Sequence, residues 1–66
     1  MHIFLNGHEF PISDDWSVSE LVARRELDPR QIAIEINHQI IRREDYGNVL
    51  LADGDCVELV SLAGGG

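Results

Sequence analysis

The chain ends in Ala63-Gly64-Gly65-Gly66, and its most reactive candidate group is the terminal carboxylate on Gly66. Glycine loses more backbone entropy on ordering than any other residue, so three in a row at an end have either a use or no role beyond a frayed terminus or an expression scar. The use would be as a thread. A tail without Cβ atoms enters a narrow channel on another protein, and Ala63, Gly64, Gly65 and Gly66 together span about 13 Å when extended. An α-carboxyl titrates near 3.5, so at neutral pH the group is ionised and resists nucleophiles. Conversion to an acyl-adenylate removes that resistance, after which a sulfur or amine nucleophile displaces the nucleotide. Nothing in the sequence would bind ATP, since it contains no GxxxxGK[ST] loop. The expectation is a chain that binds no cofactor itself and is the substrate of a separate, ATP-using enzyme.

Other side chains invite chemistry and have simpler readings. Cys56 could relay sulfur, but no histidine or arginine adjoins it in sequence to lower its pKa, and a small strand residue is the plainer reading. His2, His8 and His38 with Cys56 lack finger-like or HExxH spacing, so no metal is expected. Arg42 and Arg43 fit a solvated loop, and Asp53 and Asp55 fit turn formation better than a catalytic carboxylate pair.

Sixty-six residues allow one domain with a thin core, too small to wall a deep substrate pocket. Hydrophobic residues at 44% and charged residues at 26% are ordinary for a folded domain. Twelve acidic residues face five arginines with no lysine, giving a net charge of −7. That balance argues against nucleic acid and against anionic membranes, and favours a basic protein partner; its simplest effect is to keep the free chain soluble and monomeric. A single cysteine precludes an internal disulfide, and no apolar run reaches the length of a membrane helix. The first residues lack the basic segment of a signal peptide, so the cytoplasm is the expected compartment.

The elements that would position the tail follow from local pattern. Asn6-Gly7 predicts a two-residue type I′ hairpin turn within residues 1–13, placing Leu5 opposite His8, Ile3 opposite Phe10 and Met1 opposite Ile12. Pro11 cannot donate to a ladder, which puts the second strand at an edge. Ser17 and Glu20 match a capping box, with Trp16 and Leu21 as a hydrophobic staple. The helix should stop near Glu26 or Leu27, because Pro29 restricts Asp28. Alternating isoleucines at 32, 34 and 36 predict a half-buried strand. Ile40-Ile41 suggests a short strand, residues 42–47 a turn or short 3-10 segment, Asp53-Gly54-Asp55 a turn, and residues 56–62 a last strand. If Val57 and Leu59 face the core, then Glu58, Val60 and Leu62 face out and form a partner-docking patch next to the tail, to which neighbouring strands must contribute. The alternatives are that another strand or loop covers them, or that they are scattered surface residues.

Hairpin, helix, strand, irregular crossing and strand combine into an α+β domain of β-grasp type. It would have a mixed sheet of four to five strands and one main helix on one face, spanning residues 1–62, with 63–66 as a flexible tail. A ferredoxin-like half lacks its second helix, and a small barrel leaves the helix without a surface to cover.

Within this frame the sequence resembles the sulfur-carrier family of thiamin (thiazole) biosynthesis, in the ubiquitin-like superfamily. The resemblance rests on the Asn6-Gly7 hairpin, on Ile36-Asn37 before Ile40-Ile41-Arg42-Arg43-Glu44, and on Asp53-Gly54-Asp55 upstream of a terminal Gly-Gly, and it covers essentially the whole chain. It implies that an E1-like adenylyltransferase activates the terminal glycine and a sulfur donor such as a cysteine desulfurase converts it to a thiocarboxylate. The sulfur then passes to thiazole synthase. By position the thiocarboxylate would sit on Gly66, with Gly65 the other glycine of the pair and Gly64 at a position that is alanine or glycine in relatives. Tyr46 stands where some members carry tryptophan. The competing readings are the same chemistry for another product (the small subunit of molybdopterin synthase, or a tRNA-thiolation carrier), a ubiquitin-like modifier joined through Gly66, and a β-grasp interaction module whose tail is inert.

Overall fold

Residues 1–62 are described by a computed structural model. The expected hairpin forms from β1 (His2–Leu5) and β2 (His8–Pro11), with Leu5 opposite His8 and Ile3 opposite Phe10. Asn6 and Gly7 both take positive φ, 50° and 84°, as a type I′ turn requires. Ile12 is buried and its N–H donates to the Met1 carbonyl, but Met1 itself stays exposed at the sheet margin. Next come helix α1 (Val18–Arg24), β3 (Ile32–Ile36), β4 (Gln39–Ile41) and β5 (Cys56–Ser61). The five strands form one sheet in the order β2-β1-β5-β3-β4. β2 is an edge, as Pro11 demanded. β1 and β5 run parallel and the other neighbours antiparallel. This is the β-grasp arrangement.

One face of the sheet carries Ile3, Leu5, Ile32, Ile34, Ile36 and Val57, all buried, and α1 covers it with Val18, Leu21 and Val22. Trp16 and Leu59 pack on the same core, and Tyr46 is buried within it, where desolvation pushes its phenol pKa up. A helix of seven residues is too short to persist alone. The irregular segment of residues 42–52 makes it possible by satisfying the first helical donors. Val18 N–H donates to the Val49 carbonyl and Ser19 N–H to that of Tyr46, while Glu20 N–H donates to Ser17 Oγ at 3.1 Å. Ser17 is therefore the N-cap, as expected. The reciprocal half of the capping box is absent, because Glu20 instead accepts from Arg24 Nε at 3.2 Å.

The helix ends two to three residues earlier than the proline implies. Arg25 is the C-cap and Glu26 takes φ 56°. Glu26 N–H donates to the Ala23 carbonyl and Leu27 N–H to that of Val22, the two bonds of a Schellman motif. The reversal is thus complete before Pro29 acts. That proline instead opens a short 3-10 turn, Pro29–Gln31, capped by Asp28, whose carboxyl the Arg30 side chain holds below its usual range.

Glu26 carries a Cβ in a left-handed conformation, with its charge at the negative end of a helix. Glu26→Gly should therefore raise unfolding free energy by about 0.5–1 kcal/mol in urea melts. A loss of stability would mean that Glu26 makes a compensating interaction in solution.

Candidate functional site

β5 lies at the centre of the sheet, between β1 and β3, and leads directly to the tail. Side-chain hydrogen bonds from three turns hold it in place. Asn6 Oδ1 accepts from Leu59 N–H at 2.8 Å, continuing the β1–β5 contact past the last paired residue. Asn37 Oδ1 accepts from Cys56 N–H at 3.0 Å, and Asn37 Nδ2 donates to Asp55 Oδ1 at 3.0 Å. Asp55 Oδ2 accepts from Ala52 N–H, and Asp53 Oδ1 from His2 N–H, each at 2.8 Å. Gly54, at φ 86°, brings its N–H to the His2 carbonyl at 2.7 Å. Asp53 and Asp55 are thus turn formers, as the sequence implied, and they also fasten the start of β5 to β1 and β3. At the far end Leu62 N–H donates to the Gln31 carbonyl at 2.7 Å.

Alternation along β5 puts Val57 and Leu59 toward the core and leaves Glu58, Val60 and Leu62 exposed, as parity predicted. Val60 and Leu62 keep 56% and 61% of their surface in solvent. Register adds what sequence reasoning left unspecified. Val60 lies opposite Ala33 and Glu58 opposite Glu35 on β3, and Glu35 lies opposite Ile40 on β4. Ile40 is 76% exposed. Phe4, opposite Cys56, joins the same face from β1 and is also exposed. A shallow cavity of about 230 Å³ lies among Ala33, Ile34, Glu35, Ile40, Glu58 and Val60. Phe4 could have been found from the hairpin parity that buries Ile3 and Leu5. Ile40 needed the turn at Asn37 and His38, both at positive φ without a glycine to announce it.

Two carboxylates sit directly opposite each other at the middle of this apolar face. Like charges in that position repel, by about 0.2–1 kcal/mol. Glu35 has His38 Nδ1 at 3.9 Å, and Glu58 has no cationic partner among the described residues. Arg42, by contrast, pairs with Glu44.

The remaining candidates separate cleanly. Cys56 is a free, exposed residue at the start of β5. The histidines and Cys56 form no metal-binding group among the described residues. No helix among these residues is long and apolar enough to cross a membrane. Ala63, Gly64, Gly65 and Gly66 lie outside the described residues.

Two outcomes follow for single substitutions. Asp55→Ala removes an acceptor from the Ala52 N–H and from the Asn37 amide, and should cost about 1–2 kcal/mol in denaturant melts. Val60→Asp sits on the open face, and its unfolding free energy should change by no more than about 0.5 kcal/mol. A large loss for Val60→Asp would show that this face is covered in the free protein.

Comparison with known proteins fits this geometry. The ThiS family profile matches residues 3–66. A crystal structure of a thiamine biosynthesis protein (ThiS) from Geobacter metallireducens superposes with a TM-score of 0.86 at 26% identity, covering all of both chains. The sulfur carrier protein ThiS of Bacillus subtilis is 35% identical over 63 residues, 94% of this chain and 96% of that protein. A thiazole synthase of Paramagnetospirillum magneticum is 35% identical over all 66 residues of this chain, which spans only 20% of that protein. The chain belongs to the ThiS family, that of the sulfur carrier of thiamin biosynthesis.

Proposed function

We propose that Gly66 carries the sulfur, as a thiocarboxylate made in two steps by other proteins. An E1-like adenylyltransferase joins the Gly66 carboxylate to AMP from ATP, releasing pyrophosphate. Sulfide-level sulfur, released by a thiol reductant from the persulfide of a donor such as a cysteine desulfurase, then attacks the acyl carbon and displaces AMP. The thiocarboxylate is a better nucleophile than the carboxylate, and attachment to a protein keeps the sulfur from being lost as sulfide. Thiazole synthase is the acceptor in this reading. The support is that in two thiazole synthases, from Paramagnetospirillum magneticum and Magnetococcus marinus, a stretch one fifth of the protein's length is similar to this whole chain. Carrier and acceptor joined in one polypeptide are what a direct transfer between them favours, because tethering raises their effective concentration.

The single observation that carries the reading is the sequence Gly64-Gly65-Gly66 two residues after the central strand, in a chain whose described residues form a hydrophobic core. Ala63, Gly64 and Gly65 serve as the part that enters the partner's channel. Glu58, Val60 and Leu62, together with Phe4, Ala33 and Ile40, form the docking face. Its apolar side chains supply contact area, and the Glu35–Glu58 pair favours a partner surface carrying basic residues. The chain itself supplies no general acid or base and binds no ATP; its role is that of a protein co-substrate working in the cytoplasm.

The test is intact mass after incubation with the E1-like enzyme, ATP and a sulfur donor. The chain should gain the mass of one oxygen-to-sulfur exchange on its C-terminal peptide, and a chain lacking Gly66 should gain nothing while melting normally. An unmodified full-length chain under these conditions would leave the inert-tail module as the better account.

A further inference from the structure

On the helix side of the sheet, away from the docking face, a groove of about 240 Å³ opens between the hairpin tip and the C-terminal end of α1. It is lined by Leu5, Asn6, His8, Phe10 and Arg25. Leu5 is buried and Phe10 half-buried, so the floor is apolar. The rim consists of hydrogen-bond donors. Asn6 has committed its carbonyl oxygen to Leu59 N–H, which leaves its NH₂ group for the groove. His8, exposed opposite Leu5, offers an imidazole N–H. The Arg25 guanidinium lies over the Phe10 ring, 5.7 Å from its centroid.

That stacking occupies a face of the guanidinium and leaves its in-plane N–H groups, the ones that grip a carboxylate in a fork. Arg24, Arg30 and Arg42 spend those groups on Glu20, Asp28 and Glu44. Arg25 and Arg43 have no carboxylate partner within salt-bridge distance among the described residues, and of these two Arg25 lines the groove. In a chain of net charge −7 this is an arginine without an ion pair, set beside apolar surface and other donors.

We propose that this groove receives a carboxylate-bearing side chain from a protein partner, with Arg25 gripping the carboxylate and Leu5 and Phe10 packing the aliphatic stem. Charge complementarity selects the occupant, since an acidic residue would be repelled by most of this surface and attracted here. Size selects it too, because the groove is smaller than the roughly 300 Å³ at which small-molecule pockets begin. The apolar floor rewards a group that brings a stem over a bare anion. Lying on the other side of the sheet from Val60 and Ile40, the groove can be filled while the docking face is engaged.

The test follows the amide and arginine Nε resonances of the ¹⁵N-labelled chain on addition of acetyl-Leu-Glu-Glu-Leu-amide, its glutamine counterpart, and inorganic phosphate. The acidic peptide should give saturable shifts at Asn6, Gly7, His8 and Arg25 Nε. Affinity should fall about fivefold for the glutamine peptide and by a similar factor for Arg25→Gln. The proposal is overturned by absent shifts, by equal affinity for the two peptides, by an undiminished Arg25→Gln response, by shifts centred on Ile40 and Val60, or by phosphate reproducing shifts that the acidic peptide does not.

Discussion

Parallel pairing of the first strand with the last is the constraint on which the rest of this structure depends. Two parallel neighbours cannot be joined by a tight turn, so everything between β1 and β5 must cross over and return. The crossing supplies the helix that covers one face, the strands β3 and β4 that extend the sheet, and the segment 42–52 that caps the helix. The result is that the element leading to the C-terminus is held on both edges, with a neighbour on each side and side-chain bonds from Asn6, Asn37 and Asp55. In the proposed function, where the tail enters another protein's active site, such a base fixes the strand from which the tail departs before docking.

A chain of this size can bury only one face of its sheet. The helix and the crossing segment use the apolar residues of that face, and the opposite face is left to solvent. There the composition departs from a purely solvating surface. Phe4, Ile40, Val60 and Leu62 are exposed together, and two glutamates oppose each other where a cross-strand pair would ordinarily be neutral or attractive. Both features reduce the fitness of the face for water alone, and both suit a protein partner that brings apolar area and positive charge.

Much of this was legible in the sequence wherever a local rule had one solution. Asn6-Gly7 determined a turn and with it a register, Ser17 marked a helix start, and the isoleucines of β3 declared their own periodicity. Parity alone placed Glu58, Val60 and Leu62 on the open face. What escaped depends on contacts across the chain. Glu26 reverses the helix without the glycine that usually signals it, and Asn37-His38 makes a hairpin turn of the same kind as Asn6-Gly7 with no glycine at all. The role of Asp53 and Asp55 in fastening three strands, and the gathering of Phe4, Ala33 and Ile40 around Val60, both require the strand order, which no local pattern contains. The groove at Arg25 depends on where the helix ends, and so was hidden with Glu26.

The central claim is that the open sheet face brings the chain to its acceptor while the tail does the chemistry. Methyl resonances report on it most directly, through Ala33, Ile40, Val60 and Leu62 on that face and Ile3, Val18 and Leu21 in the core. Titrated with thiazole synthase, the account predicts shifts and broadening concentrated at the first group, with the second following only as the complex tumbles more slowly. Perturbation confined to residues around α1, with Ile40 and Val60 unchanged, would contradict it.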